Sequence, residues 1–105
     1  MSTSAPTRDQ TIQRLLAAET EIRSLGVRRL ALFGSVARGE ARPDSDVDLL
    51  VEFVPGQKSF DHFIALADLL EALVGRPVEL VTLEALSPFI GPHILAEAAD
   101  VLRAA

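Results

Sequence analysis

The chain has 105 residues, 49% apolar and 24% charged, which suits one domain with a modest core. Ten Lys and Arg against fifteen Asp and Glu give a formal net charge of −5, which argues against a nonspecific nucleic-acid binder, and the absence of Cys removes disulfides, thiolate metal sites and cysteine nucleophiles. With five Phe and no Trp or Tyr, the core must be built from Leu, Val, Ile and Ala.

The opening MSTSAPTRD is polar and has no apolar signal core. No apolar run approaches the roughly 18 residues that a membrane-spanning helix needs. The expectation is a soluble, cytoplasmic protein that does not use a membrane, with residues 1–7 a frayed tail and 8–105 a single domain. Over 8–25, Ile12, Leu15, Leu16, Ile22 and Leu25 fall on one helical face, and Gly26 supplies a stop. Residues 28–33 read as a short strand ending at Gly34-Ser35, and a short helical turn through Val36, Ala37 and Arg38 follows. Gly39 provides a left-handed turn after it.

Residues 46–53 alternate. Asp46, Asp48, Leu50 and Glu52 share one face of a strand, and Val47, Leu49, Val51 and Phe53 share the other. Pro55-Gly56 is a turn. Ser59 caps a helix to Val74, with Phe60, Phe63, Ile64, Ala67, Leu70 and Val74 as its core stripe, and Gly75 and Pro77 stop it. Residues 78–82 form a third strand, 84–86 a helical turn, and Pro92 opens a last helix carrying Ile94, Leu95, Ala98, Val101 and Leu102. The fold class is α/β: a small mixed sheet of three or more strands flanked by helices.

The chemistry concentrates in 34–48. Asp46 and Asp48, two apart on a strand, place like charges side by side, an arrangement a divalent cation relieves. Mg²⁺ takes oxygen ligands, commonly one or two carboxylates plus substrate phosphates. Taken alone, such a pair is common on a solvated strand face. Gly34 lets a phosphate approach the backbone, and Ser35 offers a hydroxyl and an N–H at a helix start. Arg38 and Arg42, between the turn and the aspartates, are candidate phosphate ligands. His62 and His93 are isolated and make no metal spacing.

GSVARG followed by SDVDLLV resembles the GSxxRG…SDxDLLV signature of the minimal nucleotidyltransferases, within the DNA polymerase β-like nucleotidyltransferase superfamily. The resemblance covers roughly residues 28–82. It implies transfer of a nucleoside monophosphate, AMP from ATP, to a hydroxyl acceptor with divalent metal: two Mg²⁺ ions, or Mn²⁺. Carried over residue by residue, Gly34, Ser35 and Arg38 bind the nucleotide, and Asp46 and Asp48 are catalytic metal ligands. The family's third carboxylate falls on Glu79 in PVELVT, where the family commonly has Asp. Glu79 is then a catalytic metal ligand or a base for the acceptor hydroxyl, the alternative being an edge glutamate facing water. The resemblance further implies a HEPN-domain toxin as partner, neutralised by this chain as antitoxin. A chain without tyrosine cannot modify itself on one. A binding-only antitoxin with a weakened site is the second reading, resting on Glu79. A transferase for a small molecule or RNA end ranks third. Oligomeric state stays open.

Overall fold

The structure is a computed structural model, and it describes residues 5–103. Residues 1–4 of the expected tail lie outside the described residues. Thr7 is the N-cap of the first helix, its hydroxyl accepting from the Gln10 N–H at 3.2 Å.

The stretch expected as one helix over 8–25 is two: α1 (Arg8–Leu16) and α2 (Glu19–Ser24). Ala18 leaves helical geometry (φ −112°, ψ 25°), and its N–H bonds back three residues to Leu15. Leu15, Ala18 and Ile22 all stay buried, so the break keeps the apolar face on the core while redirecting the chain. Gly26 (φ +86°) then turns it into β1 (Val27–Phe33).

Next come α3 (Gly34–Arg38), β2 (Val47–Phe53), α4 (Phe60–Val74) and β3 (Val78–Thr82), close to expectation. Ser59 caps α4 by accepting from the His62 N–H, and Gly75 (φ +71°) ends it. The buried face of α4 is Leu66, Leu70 and Val74, with Phe63, Leu69 and Leu73 packed partly against the core. Phe60 and Ile64, expected on that stripe, are 78% and 43% exposed. At 100° per residue both fall to one side of the Leu66, Leu70 and Val74 row, whereas Phe63, between them in sequence, turns toward the core.

The chain end departs most from expectation. After a 3₁₀ turn (Leu83–Ala85), helix α5 stops at Glu97 (Gly91–Glu97), and Ala99–Leu102 is a strand, β4, instead of more helix. It pairs antiparallel with β1, Leu30 opposite Leu102 and Leu32 opposite Ala99. An interior strand offers hydrogen-bonding groups on both sides, and β2 satisfies only one side of β1. The sheet order is therefore β3-β2-β1-β4, with β2 antiparallel to β1 and parallel to β3.

One sheet face meets α1, α2 and α4 through Leu15, Ile22, Leu30, Leu32, Leu49, Leu66 and Leu70, all at 0% exposure. Each such side chain contributes about 1.5–3 kcal/mol of burial free energy. The other face carries a smaller cluster, Ala31, Phe33 and Leu50, covered by Val81, Leu83, Leu86, Ile94 and Ala98. That cover is incomplete, and the acidic residues lie on this thinner side. Among the described residues, no helix is long and apolar enough to cross a membrane.

Candidate active site

β1 ends extended at Phe33, and the chain reverses at Gly34 with φ +76°. The short helix α3 is held by buried Val36 and closes at Gly39 (φ +73°), where the Glu40 N–H donates to the Ser35 carbonyl at 2.9 Å. Ser35, half-buried, opens this helix. Among the described residues, no hydrogen bond engages its hydroxyl.

The space beside Gly34 is filled by Asp48. A Cβ at position 34 would overlap the Asp48 Oδ2 and lie 2.9 Å from its Cγ. The glycine therefore permits both the backbone reversal and the approach of the carboxylate. The turn and the acidic strand thus lie against each other.

Asp48 is the β2 residue opposite Phe33 of β1 and Glu79 of β3. Paired residues in neighbouring strands point to the same face, so Glu79 stands beside Asp48. Half-burial first, and then the Glu79 carboxyl, push the Asp48 carboxyl up to about 6. The charge of Asp46 adds to the upward shift, and Arg38 opposes it. Asp46 itself is exposed, one residue before β2.

Two residues that sequence reasoning missed shape this site. Arg76 donates from Nη1 to the carbonyls of Pro43 (2.9 Å) and Ser45 (3.1 Å), tying down the loop that delivers Asp46. The Ser45 hydroxyl accepts from the Arg42 N–H at 2.8 Å and tightens the same loop. Glu97 accepts from the Gly34 N–H at 3.1 Å and from Arg38 Nη1 at 3.2 Å. Arg38 also donates from Nε to Glu40 at 3.1 Å. Neither residue carries a motif. Arg76 follows a helix-stopping glycine, and Glu97 lies in a stretch that reads as plain helix.

Of the six expected site residues, the structure gathers Gly34, Ser35, Asp48 and Glu79 at one end of β2. Asp46 adjoins them, and Arg38 lies one α3 length away, turned onto Glu40 and Glu97. Among the described residues, no three carboxylates or imidazoles are grouped tightly enough to hold a metal by themselves. The donor set nevertheless fits a hard cation. Asp48 sits against a second carboxyl and near a third, and their repulsion is what a divalent ion relieves, with phosphate oxygens completing its shell. A cleft of about 280 Å³ between α1 and the end of α4, lined by Gln10, Arg14, Val74 and Arg76, includes none of the six. The candidate site is exposed at Arg38, Asp46 and Glu79 and half-buried at Ser35 and Asp48.

The family model described as "Nucleotidyltransferase domain" matches residues 15–101. The chain is 45% identical over 86 residues to the protein adenylyltransferase MntA of Thermococcus cleftensis, covering 79% of this chain and 84% of that one. Its fold superposes on a solved structure assigned to the minimal nucleotidyltransferases with a TM-score of 0.77 and 38% identity, covering 89% of this chain and 94% of the other. It also shares its fold, at 18% identity and a TM-score of 0.62, with a structure of a tri-AMPylated HEPN toxin from Shewanella oneidensis in complex with MNT antitoxin, covering 88% of this chain and 72% of that one.

Proposed function

Because the chain belongs to the nucleotidyltransferase domain family and is of the minimal nucleotidyltransferase type, we propose that it transfers AMP from ATP to a hydroxyl of a HEPN-type partner protein and so silences that partner. The observation that carries this reading is the contact of Asp48 with Gly34, beside Glu79. It sets an acidic pair and a Gly-Ser turn at one point, where a metal-bound triphosphate needs both. The names of the relatives, a protein adenylyltransferase and an antitoxin bound to an AMPylated HEPN toxin, support the choice of nucleotide and acceptor.

In this reading Ser35 and Arg38 bind the triphosphate through hydroxyl and guanidinium donors. Asp48 and Asp46 hold the cation, and Glu79 stands as its third ligand or as the proton acceptor. The acceptor hydroxyl forms a bond to the α-phosphorus, the bond to pyrophosphate breaks, and the hydroxyl proton passes to a carboxylate of the site. Bound Mg²⁺ supplies neutralisation of the triphosphate and acidification of the attacking hydroxyl. A tyrosine acceptor would be external, since the chain contains no tyrosine, and the exposure of Asp46 and Glu79 leaves the acidic residues open to a protein partner. The lack of Cys is consistent with a reducing cytoplasm.

A second reading, neutralisation by binding alone, is favoured by Glu79, one methylene longer than the aspartate the pattern carries. One experiment separates the two. The protein is incubated with ATP labelled on its α-phosphate, Mg²⁺ and a HEPN-domain partner. Label is expected on the partner and is expected to fall at least about a hundredfold with Asp48→Asn, as for loss of a principal electrostatic group. Full neutralisation by Asp48→Asn with no transfer by the parent protein would establish the binder instead.

A further inference from the structure

Glu97 reaches the nucleotide turn from 63 positions away in the chain. Its Oε1 takes the Gly34 N–H, and both its oxygens lie 3.2 Å from Arg38 Nη1. Its mounting is firm: it ends α5, whose Ile94 packs on the Phe33 and Leu50 cluster, and it is followed within two residues by β4, fixed to β1. Arg38, by contrast, is a long side chain that is 44% exposed. Held by nothing, it would scatter over many rotamers.

A guanidinium has five donors in a planar fork. Here Glu40 takes Nε and Glu97 takes Nη1. Among the described residues, Nη2 meets no acceptor. Two carboxylates thus clamp two corners of the fork and leave the third for an anion. We propose that Glu97 is a positioning residue for nucleotide binding: it fixes the Gly34 amide and the Arg38 guanidinium so that Arg38 Nη2 is presented to the triphosphate. The inference rests on the reading of Arg38 as a phosphate ligand given above.

Charge alone argues the opposite way. A carboxylate beside a triphosphate repels it, so removing that charge should tighten binding unless orientation dominates. This makes the sign of the effect diagnostic. The test measures the Mg²⁺-ATP dissociation constant by calorimetry for the parent, Glu97→Gln, Arg38→Ala and the double variant. Glu97→Gln keeps an oxygen for the Gly34 N–H and removes the ion pair. The expected result is a Kd raised about tenfold, the scale of one charge-assisted hydrogen bond. In the Arg38→Ala background the same change should have no further effect, because the pair acts as a unit. Glu40→Gln, at the exposed second corner, should also weaken ATP binding, and its position at the surface keeps folding out of the comparison. A Kd unchanged or tightened by Glu97→Gln, or full additivity with Arg38→Ala, would overturn the proposal while leaving the nucleotide site in place. An Arg38→Ala protein that binds ATP as the parent does would remove the underlying reading of Arg38, and the proposal with it.

Discussion

Gly34 and Gly39 share a left-handed backbone, φ +76° and +73°, yet their surroundings differ. A side chain at 39 would meet nothing within 4 Å, whereas one at 34 would collide with Asp48. Gly39→Ala should therefore cost only backbone strain, about 1–2 kcal/mol, and keep activity. Gly34→Ala adds a displaced carboxylate to that strain; it should melt lower than Gly39→Ala and lose AMP transfer, both read from thermal denaturation and the labelling assay. Asp48 carries a second prediction. With its carboxyl pushed up to about 6 from an ordinary 3.8, the folded protein holds this proton more tightly than the unfolded chain. Its contribution to stability is thus least favourable above pH 6 and vanishes toward pH 4. In EDTA, Asp48→Asn should be more stable than the parent at pH 7, and the gap should close on acidification through that window. Metal binding requires the deprotonated form, so the apparent Mg²⁺ affinity of the parent should decline below pH about 6. Urea titrations at several pH values, with and without Mg²⁺, check both statements.

Among the elements, β4 makes the sharpest case for packing over local preference. Residues 91–103 are rich in Ala and Leu and present a helical stripe, yet the last four residues of that stripe's span pair with β1. The free edge of β1 is a long-range fact, invisible to a window of ten residues. The break at Ala17 and Ala18 has the same character, since both are excellent helix formers and the turn follows the surface they pack on. By contrast β2, the caps of α4 at Ser59 and Gly75, and β3 were legible because alternation, a capping hydroxyl and a left-handed glycine act within a few residues. If β4 is held by burial, Leu102→Ala, at a side chain 1% exposed, should destabilise by about 2–5 kcal/mol. Asp100, which meets Arg29 at 2.8 Å on the surface of the same strand, should cost at most about 1 kcal/mol when changed to Ala. Equal losses in denaturant titrations would mean that the ion pair, and not the core, anchors the strand.

At the scale of the whole molecule, the site joins two kinds of information. Five of the six expected site residues lie within 34–48 and were legible as a pattern, with Glu79 joining them from β3; their supports, Arg76 and Glu97, act across 31 and 63 positions and follow only from the sheet order. The assembled object is an acidic protein, net charge −5, and the proposed function asks it to hold a polyphosphate anion next to three carboxyls. Coulomb repulsion opposes that complex in the absence of a cation. ATP alone should therefore stabilise the fold little, and Mg²⁺ alone modestly, while the two together act as one ligand. At a hundredfold excess over Kd, linkage gives about 2.7 kcal/mol. For a domain of about 100 residues that corresponds to a rise in Tm on the order of 10 °C. Asp48→Asn should erase the part of this rise that depends on Mg²⁺, whereas Gly39→Ala should retain it from a lower starting Tm. A scan in which ATP with EDTA stabilises the protein as much as ATP with Mg²⁺ would show that the carboxylates of this site do not recruit the cation, and that the triphosphate is held by cationic side chains alone.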